Sequence, residues 1–195
     1  RNYSLAARLM LGKSVGDRPQ KFFLGGNSQM MIFSDTQTEG RDDSGFYAQR
    51  VLDYDNTSIL EDVYFSEYVF PLRGARYRER VGENVAVANF EFRFPFVNYV
   101  DVSFPARIRF GNIFGHLFLD VGAAWDSSDE FNNSELVRNK YGLTDPEASP
   151  ILTTFGIGTK IFTPFALIRI DTAWDKYPSG GYSKPQYIIS FGYDW

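Results

Sequence analysis

On an extended chain, residues 187–195 place Tyr187, Ile189, Phe191, Tyr193 and Trp195 on one face and Ile188, Ser190, Gly192 and Asp194 on the other. The first face is an unbroken apolar and aromatic stripe that runs to the final Trp, and the second is mostly small or polar. Few soluble folds close on such a stripe. One face suits lipid and the other suits water, which is the pattern of a strand in an outer-membrane barrel whose aromatics stand at the membrane interface.

Five further segments alternate in the same way. Residues 3–12 set Tyr3, Leu5, Ala7, Leu9 and Leu11 against Ser4, Ala6, Arg8 and Met10. Residues 85–96 put Ala86, Ala88, Phe90, Phe92, Phe94 and Phe96 opposite Asn89, Glu91 and Arg93. Residues 115–125 oppose Leu117, Leu119, Val121, Ala123 and Trp125 to His116, Phe118, Asp120, Gly122 and Ala124. Residues 151–162 and 165–175 carry Ile151, Phe155, Ile157, Ile161, Ala166, Ile168, Ile170 and Trp174 on their apolar faces, with Gly156, Gly158, Lys160, Arg169, Asp171 and Asp175 opposite. Each segment runs about 9 to 12 residues, the length with which a tilted strand crosses the hydrocarbon layer; soluble sandwich strands are usually shorter.

The connections are unequal. Pro164 marks a tight turn between the fourth and fifth segments, whereas residues 13–84 and 126–149 are long, polar and rich in Asp, Asn, Gly and Ser. Short turns on one side and long loops on the other are the habit of membrane barrels. The expected fold is therefore all-β: an antiparallel transmembrane β-barrel unit spanning residues 1–195. Six strands are too few, because membrane barrels close with about eight or more, and an open sheet would leave backbone groups unpaired in lipid. The chain opens at Arg1-Asn2-Tyr3 with no export leader, so it reads as the mature remainder of something longer. Upstream sequence of the same chain is the simplest source of the missing strands, and a partner chain is the alternative.

Composition excludes several classes. No stretch approaches the roughly 18 apolar residues of a membrane-spanning helix, while the mean hydropathy of -0.28 is what strand alternation averages to. A net charge of -4 argues against a general attraction to nucleic acid. With no cysteine there are no disulfides, thiolate metal sites or cysteine nucleophiles.

Four motifs stand in order along the chain: Phe22-Phe23-Leu24-Gly25-Gly26, Pro71-Leu72-Arg73-Gly74-Ala75-Arg76-Tyr77, Asn89-Phe90-Glu91-Phe92-Arg93-Phe94-Pro95 and Phe118-Leu119-Asp120-Val121-Gly122. Placed before a C-terminal aromatic strand, they resemble the C-terminal barrel half of the bacterial surface antigen superfamily, the outer-membrane assembly and translocation barrels that include BamA and TamA. The resemblance implies a sixteen-stranded barrel. It also implies that Leu72, Arg73 and Gly74 form the tip of a loop folded back into the lumen, and that Arg73 meets the acids Glu91 and Asp120 there. Phe118 and Gly122 would belong to the barrel-wall motif, and Tyr187, Ile189, Phe191, Tyr193 and Trp195 to the C-terminal strand signal. The alternation agrees independently, since Glu91 and Asp120 fall on the face opposite the lipid-facing aromatics, and a buried guanidinium needs carboxylates of fork geometry. The sequence departs from the family at Ala75, where an aromatic is usual and Tyr77 is the nearest substitute. It also carries an insertion at 27–70 like that of relatives whose barrel follows a large periplasmic domain.

Other motifs carry blander readings. Gly12-Lys13-Ser14-Val15-Gly16 matches the G-x-S-x-G nucleophile elbow, but no helical pattern follows and His116 is the chain's single histidine, so an ordinary loop is the better reading. His116 alone, without Cys or a second His, reads as an inward polar residue rather than a metal ligand. Arg73, Arg76, Arg78 and Arg80 around Tyr77 fit a loop paired with acids better than a nucleic-acid stripe. Gly156-Ile157-Gly158 lies inside a strand and opens no helix, so it is no phosphate loop. The acidic run from Asp35 to Asp43 reads as solvated loop rather than a Ca²⁺ site.

Nothing in the sequence assembles an enzyme, a metal site or a cofactor site. The resemblance implies a machine that inserts or exports proteins, with outer-membrane lipid and unfolded outer-membrane or secreted proteins as partners and no nucleic acid. Its seam would be the strand 187–195, whose edge an incoming strand could join. The rival reading is a structural anchor that holds a fused periplasmic module or complex at the outer membrane.

Overall fold

A computed structural model describes residues 3–17, 19–26, 30–33, 66–75, 79–102, 108–163 and 167–192. Its strands are β1 (Ser4–Lys13), β2 (Lys21–Leu24), β3 (Met30–Phe33), β4 (Ser66–Phe70), β5 (Arg80–Gly82), β6 (Asn84–Val102), β7 (Ile108–Trp125), β8 (Ile151–Phe162), β9 (Leu167–Lys176) and β10 (Gln186–Gly192). A 3₁₀ turn (Ser128–Phe131) and helix α1 (Ser134–Tyr141) lie between β7 and β8. The large sheet has the order β1-β6-β7-β8-β9-β10-β3, and the six alternating segments pair antiparallel in chain order. No helix among the described residues is long and apolar enough to cross a membrane.

The period of two sorts the two faces as the sequence predicts. One register row joins Leu5, Phe92, Leu117, Ile157, Thr172 and Tyr187, and Leu5 and Tyr187 are 83% and 64% exposed. The next outward row contains Phe90 and Leu119, also exposed; Ile168 and Phe191 are half-buried. The alternate rows face inward. They hold Asn89, Glu91, His116, Asp120, Thr154, Lys160, Arg169 and Asp171, all buried. An apolar surface this broad turned to the outside, over a buried polar face, is the reverse of a soluble core.

Two strands exceed the lengths read from the sequence. β6 has 19 residues and β7 has 18. The pairing shifts between Pro95 and Val97, where Phe96 is the extra residue and Pro95 offers no N–H to the ladder. The strand continues past this shift, and Phe96 and Asn98 are both exposed as Phe90 and Phe92 are.

The segment 13–84 was expected as one long loop and instead carries four short strands. β2 lies between β4, to which it is parallel, and β5, to which it is antiparallel, while β3 pairs with β10. Strands of 3 to 5 residues hold too little alternation to stand out from a polar segment. Segment 126–149, the other expected loop, contains the 3₁₀ turn and α1. Ser127 and Glu130 form a capping box on the first; Asn133 caps the N-terminus of α1, and left-handed Gly142 (φ 63°) ends it.

The small sheet packs on the inner face of the large one through Leu24, Leu72, Ala75, Val85, Val87, Ala124 and Leu152. A second cluster, Val137, Tyr141, Leu143, Ala148 and Tyr177, seats α1. The Tyr141 hydroxyl donates to the Val81 carbonyl at 2.8 Å and accepts from the Val81 N–H at 3.2 Å. The turn marked by Pro164 lies outside the described residues.

Candidate functional site

Two glycines deliver the arginine turn to the sheet. β2 ends at Leu24, and Gly25 (φ 116°) and Gly26 (φ 86°) then take conformations that side chains disfavour. The Gly25 N–H donates to the Phe70 carbonyl at 3.1 Å, and the Leu72 N–H donates to the Gly26 carbonyl at 2.9 Å. The segment entering Leu72 is thereby tied to the segment leaving β2. Leu72 itself is fully buried in the core beneath.

Residues 72–75 form a tight turn. The Ala75 N–H donates to the Leu72 carbonyl at 3.2 Å, and Gly74 occupies the third position with φ 82°, as a type II turn requires. A Cβ on Gly74 would stand 2.7 Å from the Ala173 Cβ, so the turn rests directly on β9. Gly122 performs a similar service on β7, where a Cβ would meet the Leu24 and Leu72 side chains at 3.0 to 3.2 Å.

The structure brings Arg73, Glu91 and Asp120 together. Arg73 Nε and Nη2 donate to the two oxygens of Asp120 at 2.7 and 2.8 Å, and Nη1 donates to Glu91 Oε2 at 2.9 Å. The guanidinium carbon lies 3.9 Å from the Phe118 ring centre. Phe118 can lie there because its neighbour across the ladder is Gly156, where any Cβ would collide with the Phe118 ring and the Thr172 carbonyl. A planar cation with five donors thus meets one carboxylate edge-on, a second end-on and an aromatic face. Buried ion pairs contribute little net stability when complete, but losing one member is costly. The arrangement therefore specifies where the turn sits more than it stabilises the sheet.

Glu91 has further partners that sequence reasoning did not identify. Lys160 Nζ contacts Glu91 Oε1, and Arg93 Nε donates to the same oxygen at 2.6 Å. Both cations were placed on the inward face by alternation, but nothing in the sequence joins them to Glu91. In the next inward row, His116 Nε2 stands 2.9 Å from Asp171 Oδ1, and both side chains are fully buried. Gly158 leaves the space for this approach, since a Cβ there would overlap Asp171 and lie 2.7 Å from the His116 ring.

A separate ion cluster fastens the small sheet and α1 to the strand ends. Lys21 Nζ lies 2.9 Å from Asp126 and 3.2 Å from Glu83; Lys140 Nζ lies 2.8 Å from Asp126 and 3.1 Å from Glu130. Burial pushes the Asp126 carboxyl up, but hydrogen bonds from Lys140 and Lys21 outweigh it and hold the group below its ordinary value. Burial lowers Lys21, and its bonds with Asp126 and Glu83 raise it further than that. Lys140 is likewise lowered by burial and raised overall by Tyr141, Asp126 and Glu130. Burial raises the Tyr141 phenol.

The remaining candidates fall as follows. The Ser14 hydroxyl accepts the Gln20 N–H at 2.7 Å, and His116 sits with Asp171 instead, so no serine–histidine pair forms between them. Arg80 is buried, donates to the Ser149 carbonyl at 3.3 Å and covers the Tyr141 ring, which removes it from any exposed basic stripe. No group of three or more His, Asp or Glu among the described residues is placed to hold a metal. Tyr187 is exposed, and Ile189 and Phe191 are half-buried. Arg76, Tyr77, Arg78, Tyr193, Trp195 and the run Asp35 to Asp43 lie outside the described residues.

The Omp85 superfamily domain matches residues 3–194 of the chain. Comparison with curated proteins and with solved structures returns no match.

Proposed function

The chain belongs to the Omp85 superfamily of outer-membrane β-barrels, and from that premise we propose that it inserts or translocates proteins at the bacterial outer membrane as the C-terminal part of a larger barrel. The observation that carries this reading is the Arg73 turn, bound to Asp120 and Glu91 on the buried face of a sheet whose other face is apolar. A turn held by charge and shape inside a barrel has two sets of contacts to gain or lose, which suits a moving part better than a filler.

β1 and β3 stand at the two ends of the strand order and do not pair with each other among the described residues. Such edges are untenable in hydrocarbon. We infer that upstream strands complete the wall to about sixteen, the number the family resemblance implies, with a partner chain as the less direct source. β10 is the seam strand in this reading. It pairs with β9 over seven residues, and on its other side, among the described residues, it meets β3 over three pairs with a register break between Ile189 and Ser190. Short, broken pairing leaves backbone donors and acceptors for an incoming substrate strand, which would join by strand addition. No ATP, metal or cofactor enters such a step.

The test uses the full-length protein in lipid vesicles together with an unfolded outer-membrane barrel. Acquisition of a protease-protected, heat-modifiable form should quicken by at least about tenfold over empty vesicles, a barrier change of roughly 1.4 kcal/mol. Unchanged substrate folding beside an intact, heat-stable barrel would overturn the proposal and leave the anchor reading, in which the barrel only holds other modules at the membrane.

A further inference from the structure

The Glu91 carboxylate is divided between two sets of partners. Oε1 is held by Lys160 and Arg93, which belong to wall strands β8 and β6, while Oε2 accepts from the Arg73 turn. Asp120, by contrast, offers both oxygens to Arg73. Lys160 is 1% exposed and Glu91 likewise 1%. A lysine buried to that degree is retained only against a carboxylate, since an apolar side chain of similar volume would fill the space at lower desolvation cost.

We propose that Lys160 is a positioning residue for the Arg73 turn, acting through Glu91. Its contact with Oε1 fixes the rotamer of Glu91, so that Oε2 points at the turn as a ready acceptor. Because Lys160 and Arg93 both sit on the wall, Glu91 keeps its partners when the turn leaves, and the receptor stays formed for the turn's return. A preformed acceptor spares the reorganisation that docking would otherwise require. The inference rests on the reading of residues 72–75 as a docked turn.

The chain contains no cysteine, so Ala75→Cys introduces a single reporter thiol within these residues. Ala75 is 5% exposed, and in full-length protein in lipid vesicles its thiol should react with a maleimide only when the turn lifts. Lys160→Met should speed the reaction by about tenfold, and Lys160→Arg should restore it to within about twofold of the parent, because the charge returns. In the Glu91→Gln background Lys160→Met should add nothing, since the residue through which it acts is already neutral. That double variant removes both charges together, so it stays folded and informative even where Lys160→Met alone fails to fold. A purely structural lysine would instead loosen the wall equally in both backgrounds, and multiplied effects would overturn the proposal. So would a Lys160→Met protein that reacts at the parent rate while Arg73→Met reacts faster. If Arg73→Met itself leaves the thiol protected, the docked-turn reading falls and this inference falls with it.

Discussion

Replacing Asp120 with Ala removes two hydrogen bonds from the Arg73 guanidinium and leaves the bond to Glu91 and the face of Phe118. Charge-assisted bonds contribute about 1.5–3 kcal/mol each. Breaking a buried pair costs about 3–5 kcal/mol because the surviving charge is left without its partner. The bond to Glu91 places Asp120→Ala at the low end, about 3 kcal/mol. Arg73→Ala should cost a similar amount, because fully buried Asp120 then loses both donors. The double variant strands neither member of that pair, and Glu91 retains Lys160 and Arg93, so its cost should fall about 2 kcal/mol below the sum of the singles. Urea unfolding of the full-length barrel in lipid vesicles, followed by tryptophan fluorescence, measures all four corners of the cycle. Additivity within about 0.5 kcal/mol would refute the argument, because residues that do not interact add within that margin.

Gly74→Ala should undock the turn at a cost of about 1–3 kcal/mol, since its φ of 82° is strained for any other residue and its Cβ would press on Ala173; turn accessibility to protease reads it. Leu119→Arg puts a charge on the exposed apolar face, and vesicle-folded protein should lose about 2–4 kcal/mol if the position lies near the bilayer midplane. The same change should be far milder in detergent-free water-facing segments such as Glu135→Arg on α1. The Lys21–Asp126–Lys140 cluster should hold α1 across a wide pH window. Asp126 is depressed, so its contribution is present above the ordinary carboxylate pKa and is lost as pH falls through the folded value; the raised Lys21 and Lys140 lose theirs as pH climbs past the ordinary lysine value. Hydrogen exchange of α1 between acid and alkaline pH would display both edges.

Which face the six alternating segments within β1 and β6 to β10 present was legible in the sequence, because side chains on a strand alternate with a period of two whatever the strand pairs with. Glu91, Asp120, Lys160 and Arg169 were all assigned inward on that ground alone. Motif order carried the meeting of Arg73 with Asp120 and Glu91, through resemblance rather than periodicity. The tertiary structure alone decided who lies beside whom. Lys160 reaches Glu91 only because β8 sits one strand beyond β7 in a register that no local signal records. The small sheet of β4, β2 and β5 and the continuation of β6 past Phe96 were hidden for a related reason. Strands of a few residues, and a strand whose register shifts at a bulge, are defined by their hydrogen-bonded neighbours rather than by their own pattern. Alternation is a property of one strand, while register and pairing are properties of two, and they are settled only when distant segments meet.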